Sequence, residues 1–420
     1  MIIERPQLNI LSNRLGEEPR SLIFVSGPRR VGKTTMVQQA ISRLRRTSTY
    51  LATDQQVSPV ASWEQGTSAT ASTETLGFAP KSEQWLVEQW TLARSNAKAL
   101  SPGQYYVLAI DEVQKIPRWS EVVKGLWDAD RADNIPMHVV LLGSSAWLMQ
   151  QGMHESLLGR FETIHLTHWS YAEMQQAFNV NLDEFIYFGG YPGSTHLYRE
   201  GARWRQFIRQ SMIEPNISLD IFEMVRVDKP ASLRTLFELG CGAYSGQIVA
   251  LTKLLGEVEN AGNTVTLSRY LDLLSKAELL SGLEKFTGRP HRGRAAPPKF
   301  NAHNTALISA LAGYDYENAL NDRSHWGRLV ESAVGAHLIN SKHPDTKVQY
   351  WRESPDEVDF VLQSQGRLLA IEVKSGKTFA APKGLDVFQA KFPKARTLLV
   401  GNGGIPIAEF LTRPADEWLD

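Results

Sequence analysis

Short runs of consecutive apolar residues recur through the first part of this chain, and stretches with helical spacing follow them. Leu22-Ile23-Phe24-Val25, Tyr106-Val107-Leu108-Ala109-Ile110 and Val139-Val140-Leu141-Leu142 lack the alternation of half-exposed strands and fit strands buried on both faces. Residues after Lys33 and residues 82–98 carry helical patterns. Strands that alternate with helices predict a parallel α/β sheet over residues 1–180. A segment at 57–80, rich in Ser, Thr and Ala, interrupts the pattern and reads as a long insertion.

The pattern changes further on. Residues 181–228 meet a firm break at Gly189-Gly190-Tyr191-Pro192-Gly193, and helical periodicity then runs from 195 to 221. Residues 229–320 predict helices at 232–242 and 250–258, then a helix at 267–276 capped by Thr266. Apolar runs at 279–286 and at Lys299-Phe300 predict a small hairpin, which completes the order of a winged helix-turn-helix. Residues 321–420 mix a helix at 327–338 with strands at 348–351, 358–362, 368–373 and 397–400. No internal repeat is evident.

Composition narrows the classes. Lysine plus arginine and aspartate plus glutamate number 45 each in 420 residues, so no global charge draws the chain to nucleic acid or membrane. The single cysteine, Cys241, excludes an intramolecular disulfide and suits a reducing compartment. Without a signal peptide at the N-terminus or an apolar run of about 18 residues, the expectation is a cytoplasmic protein with no membrane partner.

Candidate chemistry begins at Gly27-Pro28-Arg29-Arg30-Val31-Gly32-Lys33-Thr34, which fits the phosphate-binding pattern G-x-x-x-x-G-K-[ST] between a strand and a helix. Gly27 and Gly32 let the backbone curl so that N–H groups, including those of Arg29, Arg30 and Thr35, face phosphate oxygens. The helix that follows presents the positive end of its dipole to the same anion. Lys33 supplies a charge for the terminal phosphates of ATP, and Thr34 a hydroxyl for Mg2+. The strand at 106–110 ends in Asp111-Glu112, at the edge where open α/β sheets bind ligands. Asp111 is then a metal-holding acid and Glu112 the base that polarises water. Ser144, after the strand at 139–142, is the first choice for a residue that senses the nucleotide. Arg160 reads equally as an arginine finger or as a surface salt-bridge residue. Residues 181–228 occupy the place of a helical lid in many phosphate-loop ATPases.

A second constellation lies near the C-terminus. Asp359 and Glu372-Val373-Lys374 have the form D…E-x-K on neighbouring strands, and Glu331 lies on the preceding helix. Strand alternation turns Glu372 and Lys374 to one face. The acids could chelate magnesium through hard oxygens, and Lys374 could orient a water. This is the residue set of the PD-(D/E)xK nucleases.

Taken together, 27–34, Asp111-Glu112-Val113-Gln114-Lys115-Ile116-Pro117, Gly143-Ser144-Ser145, Gly159-Arg160 and Gly189-Gly190-Tyr191-Pro192 resemble the bacterial and archaeal AAA+ ATPases that carry a C-terminal domain of unknown function. The resemblance implies an AAA+ core, a winged-helix segment and a C-terminal module similar to restriction-endonuclease-like nucleases. It also implies homo-oligomers. One departure is plain: many members place an aspartate after the wing, where this chain reads Asn301-Ala302-His303-Asn304. For DNA, the winged-helix order offers Ser268, Arg269 and the basic loop with Arg289, Arg292 and Arg294 as phosphate contacts. The alternative is a nucleotide-gated switch, in which the same segment binds protein partners and the C-terminal fold does not cleave.

Overall fold

A computed structural model of the chain describes residues 3–53, 81–143, 157–222, 227–288, 296–376 and 383–419. Ser144, Arg289, Arg292, Arg294 and the insertion expected at 57–80 lie outside the described residues. Contacts divide the chain into two compact units, one of residues 4–27 and 32–166, the other of residues 1–3, 28–31 and 167–420.

The first unit is built on a parallel sheet of β1 (Leu22–Ser26), β2 (Ser48–Ala52), β3 (Tyr106–Asp111), β4 (Met137–Leu142) and β5 (Phe161–His165), in the order β2-β3-β4-β1-β5. β1, β3 and β4 are the three apolar runs of the sequence, and they fill the buried middle of the sheet. β2 and β5 are its edges; they are largely half-exposed, which is why neither shows a continuous apolar run. The helices Lys33–Arg43, Glu83–Lys98 and Trp119–Ala132 belong to the same unit. Ser82 caps the second of these by accepting from Trp85 N at 3.2 Å. Between the second and third helices, the buried Asp130 accepts from Trp90 Nε1 at 2.7 Å and pairs with Arg94; burial still raises its carboxyl above the ordinary value, against the pull of both partners.

In the second unit one hydrophobic cluster runs from Ile186 to Ala333 and takes in Trp204, Phe237, Leu274 and Phe300. The helix Pro230–Cys241, a single turn at Leu251–Leu254, the helix Thr264–Lys276 and the hairpin β6 (Leu280–Leu283) with β7 (Lys299–Ala302) follow in the expected order. Two details differ. The second helix is one turn rather than 250–258. The third is capped by Asn263, not Thr266, because Asn263 Oδ1 accepts from Thr266 N at 2.9 Å one turn earlier than expected. The C-terminal sheet has β8 (Lys347–Glu353), β9 (Asp356–Ser364), β10 (Arg367–Lys374) and β11 (Arg396–Gly401) in the order β11-β10-β9-β8. Only β10 and β11 run parallel. The helix Arg323–Ser341 packs on β7 and β10, with Val330, Val334 and Leu338 buried. It starts at Asp322, whose carboxylate accepts from Ser324 N and His325 N, each at 3.0 Å.

Asn304 answers the departure noted in the sequence. Its Oδ1 caps the helix Thr305–Leu311 by accepting from Ala306 N at 3.1 Å and also accepts from Gly190 N at 3.2 Å. A Cβ at Gly189 would stand 2.0 Å from that oxygen, and one at Gly190 would stand 2.1 Å from the Trp169 carbonyl. The glycine pair is therefore required by close approach. Among the described residues no helix is long and apolar enough to cross a membrane.

Both units contain a histidine that burial keeps neutral. His138 donates to the Glu17 carbonyl at 3.1 Å and His337 to the Arg413 carbonyl at 2.7 Å; burial lowers each to about 4 from 6.5. The unfolded chain takes up these protons first, so stability is full above pH 6.5 and is lost as pH falls toward 4. Each histidine should cost roughly 2 kcal/mol by pH 5. Urea denaturation at pH 7 and pH 5 checks this, and an unchanged midpoint would contradict it.

Candidate functional site

The first site is assembled where β1 and β3 run out. β1 ends at Ser26 and the chain turns through the loop 27–34, with Gly27 at φ +146° and Gly32 at φ +94°. Arg30 is also left-handed, at φ 65°. Left-handed backbone alternating with ordinary backbone turns successive N–H groups inward, the arrangement that receives an anion. Gly27 is further constrained, because a Cβ there would lie 2.0 Å from the Leu166 carbonyl. Within the other unit, Trp169 Nε1 donates to Val31 O at 2.9 Å.

Lys33 and Thr34 open the helix Lys33–Arg43. Lys33 is buried and its Nζ donates to Gly27 O at 2.9 Å, so the ammonium lies along the inside of the loop. Thr34 and Thr35 are exposed in the first turn, Arg29 is half-buried and Arg30 exposed. Thr34 Oγ1 donates to Asp111 Oδ2 at 2.7 Å. The same carboxylate oxygen accepts from Tyr50 Oη on β2, the neighbour of β3.

Glu112 follows in left-handed conformation at φ 54°, which is costly for a side chain of this kind. Thr53 Oγ1 donates to its carbonyl at 2.9 Å, and Gln114 Nε2 donates to its carboxylate at 2.7 Å. Tyr50, Thr53 and Gln114 were not singled out in the sequence. No motif marks Tyr50 or Thr53, and Gln114 stands in the quoted stretch 111–117 without a role assigned to it; their nearness to the ends of β2 and β3 brings all three to the acids. Arg160 makes a two-pronged pair with Asp128, Nε to Oδ1 at 2.7 Å and Nη2 to Oδ2 at 3.0 Å. The salt-bridge reading of Arg160 is the one its geometry favours.

The C-terminal constellation is also brought together. One step beyond the Ile371–Phe360 pair, Asp359 on β9 and Glu372 on β10 adjoin. Asp359 Oδ2 accepts from Val373 N at 2.8 Å, and Lys374 Nζ donates to Glu372 Oε1 at 2.6 Å. Glu331 comes from the helix Arg323–Ser341, as its place on that helix predicts. The residue the sequence did not reveal is Lys299 on β7. Its Nζ lies 2.5 Å from Glu331 Oε1 and 3.4 Å from Asp359 Oδ1, and it donates to Asp359 O at 3.1 Å. Burial opposes the Lys299 charge, but Glu331 and Asp359 outweigh it and raise the ammonium above its ordinary value. Burial pushes Glu331 and Glu372 up, against the attraction of the lysines. The site does not fit a divalent cation. Among the described residues no three His, Cys, Asp or Glu side chains are grouped to hold a metal, and an ammonium already lies between two of the acids.

Arg269 is exposed on the helix Thr264–Lys276 and lines a groove of about 960 Å³ with Ser268, Val265, Asp272 and Glu284.

A curled loop, a buried lysine inside it and a hydroxyl–carboxylate pair at the strand ends define a phosphate-loop nucleotide site on a parallel α/β sheet. Comparison with known proteins agrees: residues 19–175 match the family model of an AAA domain. Residues 179–318 and 326–409 match two domains of unknown function, DUF8612 and DUF4143. The chain is 25% identical over 319 residues to an uncharacterized protein of Mycobacterium tuberculosis, covering 74% of this chain and 69% of that one. It is 21% identical over 362 residues to an uncharacterized protein of Haemophilus influenzae, covering 83% and 81%. Among solved structures it is similar to a Walker-type ATPase of Pyrococcus abyssi, at 13% identity and TM-score 0.43, covering 74% of this chain and 96% of that one. It is also similar to the Holliday junction branch migration motor RuvB of Thermotoga maritima, at 18% identity and TM-score 0.31, covering 66% and 85%.

The two loop glycines should respond differently to a methyl group. Gly32→Ala meets open space and carries only backbone strain, roughly 1–2 kcal/mol. Gly27→Ala adds a clash with the Leu166 carbonyl and should cost more. Thermal denaturation without nucleotide measures both; equal losses would contradict the geometry.

Proposed function

We propose that this chain binds and hydrolyses ATP at the loop 27–34, and that turnover governs how its segment 167–420 engages DNA. The observation that carries the ATP reading is the meeting of Thr34 Oγ1 and Asp111 Oδ2 at 2.7 Å, next to the buried Lys33. Two hard oxygens so placed suit Mg2+, which when bound would offset charge on the terminal phosphates. The chain's own residues do the rest. Loop N–H groups hold phosphate oxygens, and the Lys33 ammonium exchanges the Gly27 carbonyl for a terminal phosphate oxygen. Glu112, its carboxylate held by Gln114, orients the attacking water and receives its proton. Ser144 is kept as the nucleotide sensor. Arg160 would have to leave Asp128 to act as a finger, within one subunit or across a homo-oligomer.

The DNA reading is supported by the order helix, turn, helix, hairpin and by Arg269 exposed on the third helix. In it the C-terminal fold, nuclease-like in its E-x-K strand, grips a branched or free-ended substrate. One observation favours a second reading, a nucleotide-gated switch for protein partners. The groove beside Arg269 also carries Asp272, Glu284 and Val265, which is 74% exposed, a mixture less suited to phosphate than to a protein surface.

Steady-state ATPase assays with and without DNA test both readings. Lys33→Ala should weaken nucleotide binding, whereas Glu112→Gln should keep binding and slow turnover about 100-fold or more. Normal turnover in Glu112→Gln would reject Glu112 as the base. DNA should raise the hydrolysis rate, and Arg269→Ala should reduce that rise. Failure of DNA to bind or stimulate would turn the reading to the switch.

A further inference from the structure

The residue least explained by the ATP site is Lys299, a lysine whose side chain is 0% exposed. Among the described residues its ammonium meets Glu331 at 2.5 Å, Asp359 Oδ1 at 3.4 Å, the Asp359 carbonyl at 3.1 Å and the Phe360 ring face at 4.7 Å. A buried ammonium persists only where charge and hydrogen bonds replace its water, and here acids and a ring face do so. These are the acids whose sequence pattern suggests a metal-dependent nuclease. Glu372, the remaining acid, is paired by Lys374 at 2.6 Å. Its Oε2 has no partner among the described residues, but one carboxylate oxygen does not chelate a divalent cation that prefers about six oxygens.

Lys299 is also locked in place. β7 pairs with β6 through Leu283 and Lys299. On its other side, Gly246 N donates to Phe300 O at 2.8 Å, Phe300 N to Gln247 O at 2.9 Å and Val249 N to Pro298 O at 3.0 Å. The hairpin is tied in turn to β8, since Phe286 N donates to Tyr350 O at 2.6 Å and Tyr350 N to Glu284 O at 3.1 Å. Bonds along both edges hold the backbone of β7, and the Lys299 side chain is fully buried.

We propose that Lys299 is a built-in counter-cation: its ammonium stands between Glu331 and Asp359 where a metal-dependent nuclease would hold its divalent ion. The carboxylate cluster therefore takes up no magnesium or manganese and supports no metal-assisted strand cleavage. Its work is structural, joining the hairpin to the C-terminal sheet. The inference does not depend on the ATP reading, because none of these residues lies in the nucleotide site.

The full-length chain, free of nucleotide, tests this by Mn2+ titration calorimetry and by nicking assays on plasmid DNA with Mn2+. Wild type and Asp359→Asn should give superimposable Mn2+ isotherms, and wild type should leave the plasmid intact. Loss of a Mn2+ site in Asp359→Asn, or nicking by wild type that Glu372→Ala abolishes, would overturn the proposal. Lys299→Met keeps the length of the side chain and removes the charge. It should melt several degrees lower, and Mn2+ should raise its melting temperature by more than it raises that of wild type. A Lys299→Met chain as stable as wild type would overturn the proposal; should that variant fail to fold, the comparison of wild type with Asp359→Asn still decides.

Discussion

The Asp111 carboxylate is fixed at the end of β3 by hydroxyls from two other elements, Thr34 at the start of a helix and Tyr50 on β2. The nucleotide site depends on that convergence. It requires β3 to be flanked by β2 and to lie one strand removed from β1, which the order β2-β3-β4-β1-β5 provides. Because the strands are parallel, the loop after β1 and the acids after β3 emerge at the same edge of the sheet. The apolar interior of β1, β3 and β4 fixes that edge, and the polar residues one step beyond the strands inherit its precision.

The two lysine sites show the same constraint with different outcomes. Lys33 is buried and its ammonium donates to the Gly27 carbonyl, a neutral partner that an anion can replace. Lys299 is buried against two carboxyl groups and a carbonyl, all of them already engaged by its ammonium. The first arrangement is suited to exchange, the second to permanence. A lysine near acids is thus read by what surrounds its ammonium rather than by motif.

Much of this was legible in the chain. The three central strands are continuous apolar runs, the loop 27–34 carries its own geometry in its glycines, and Asp359, Glu372 and Glu331 do converge. What stayed hidden is of two physical kinds. The edge strands β2 and β5 bury little and so lack an apolar pattern. Tyr50 and Lys299 act through long-range contacts, Lys299 meeting Asp359 across 60 positions, and no local spacing encodes such a meeting. The cap at Asn263 was missed for a smaller reason: Asn and Thr are both good caps, and the asparagine stands three residues earlier.

The central claim is that the loop and the strand-end acids form one triphosphate site. Calorimetric titration of ATP into the full-length chain, with and without Mg2+, tests it most directly. The account predicts saturable binding of about one nucleotide per chain, tightened by Mg2+ in wild type and no longer tightened in Asp111→Asn. Absence of saturable binding under either metal condition would contradict it.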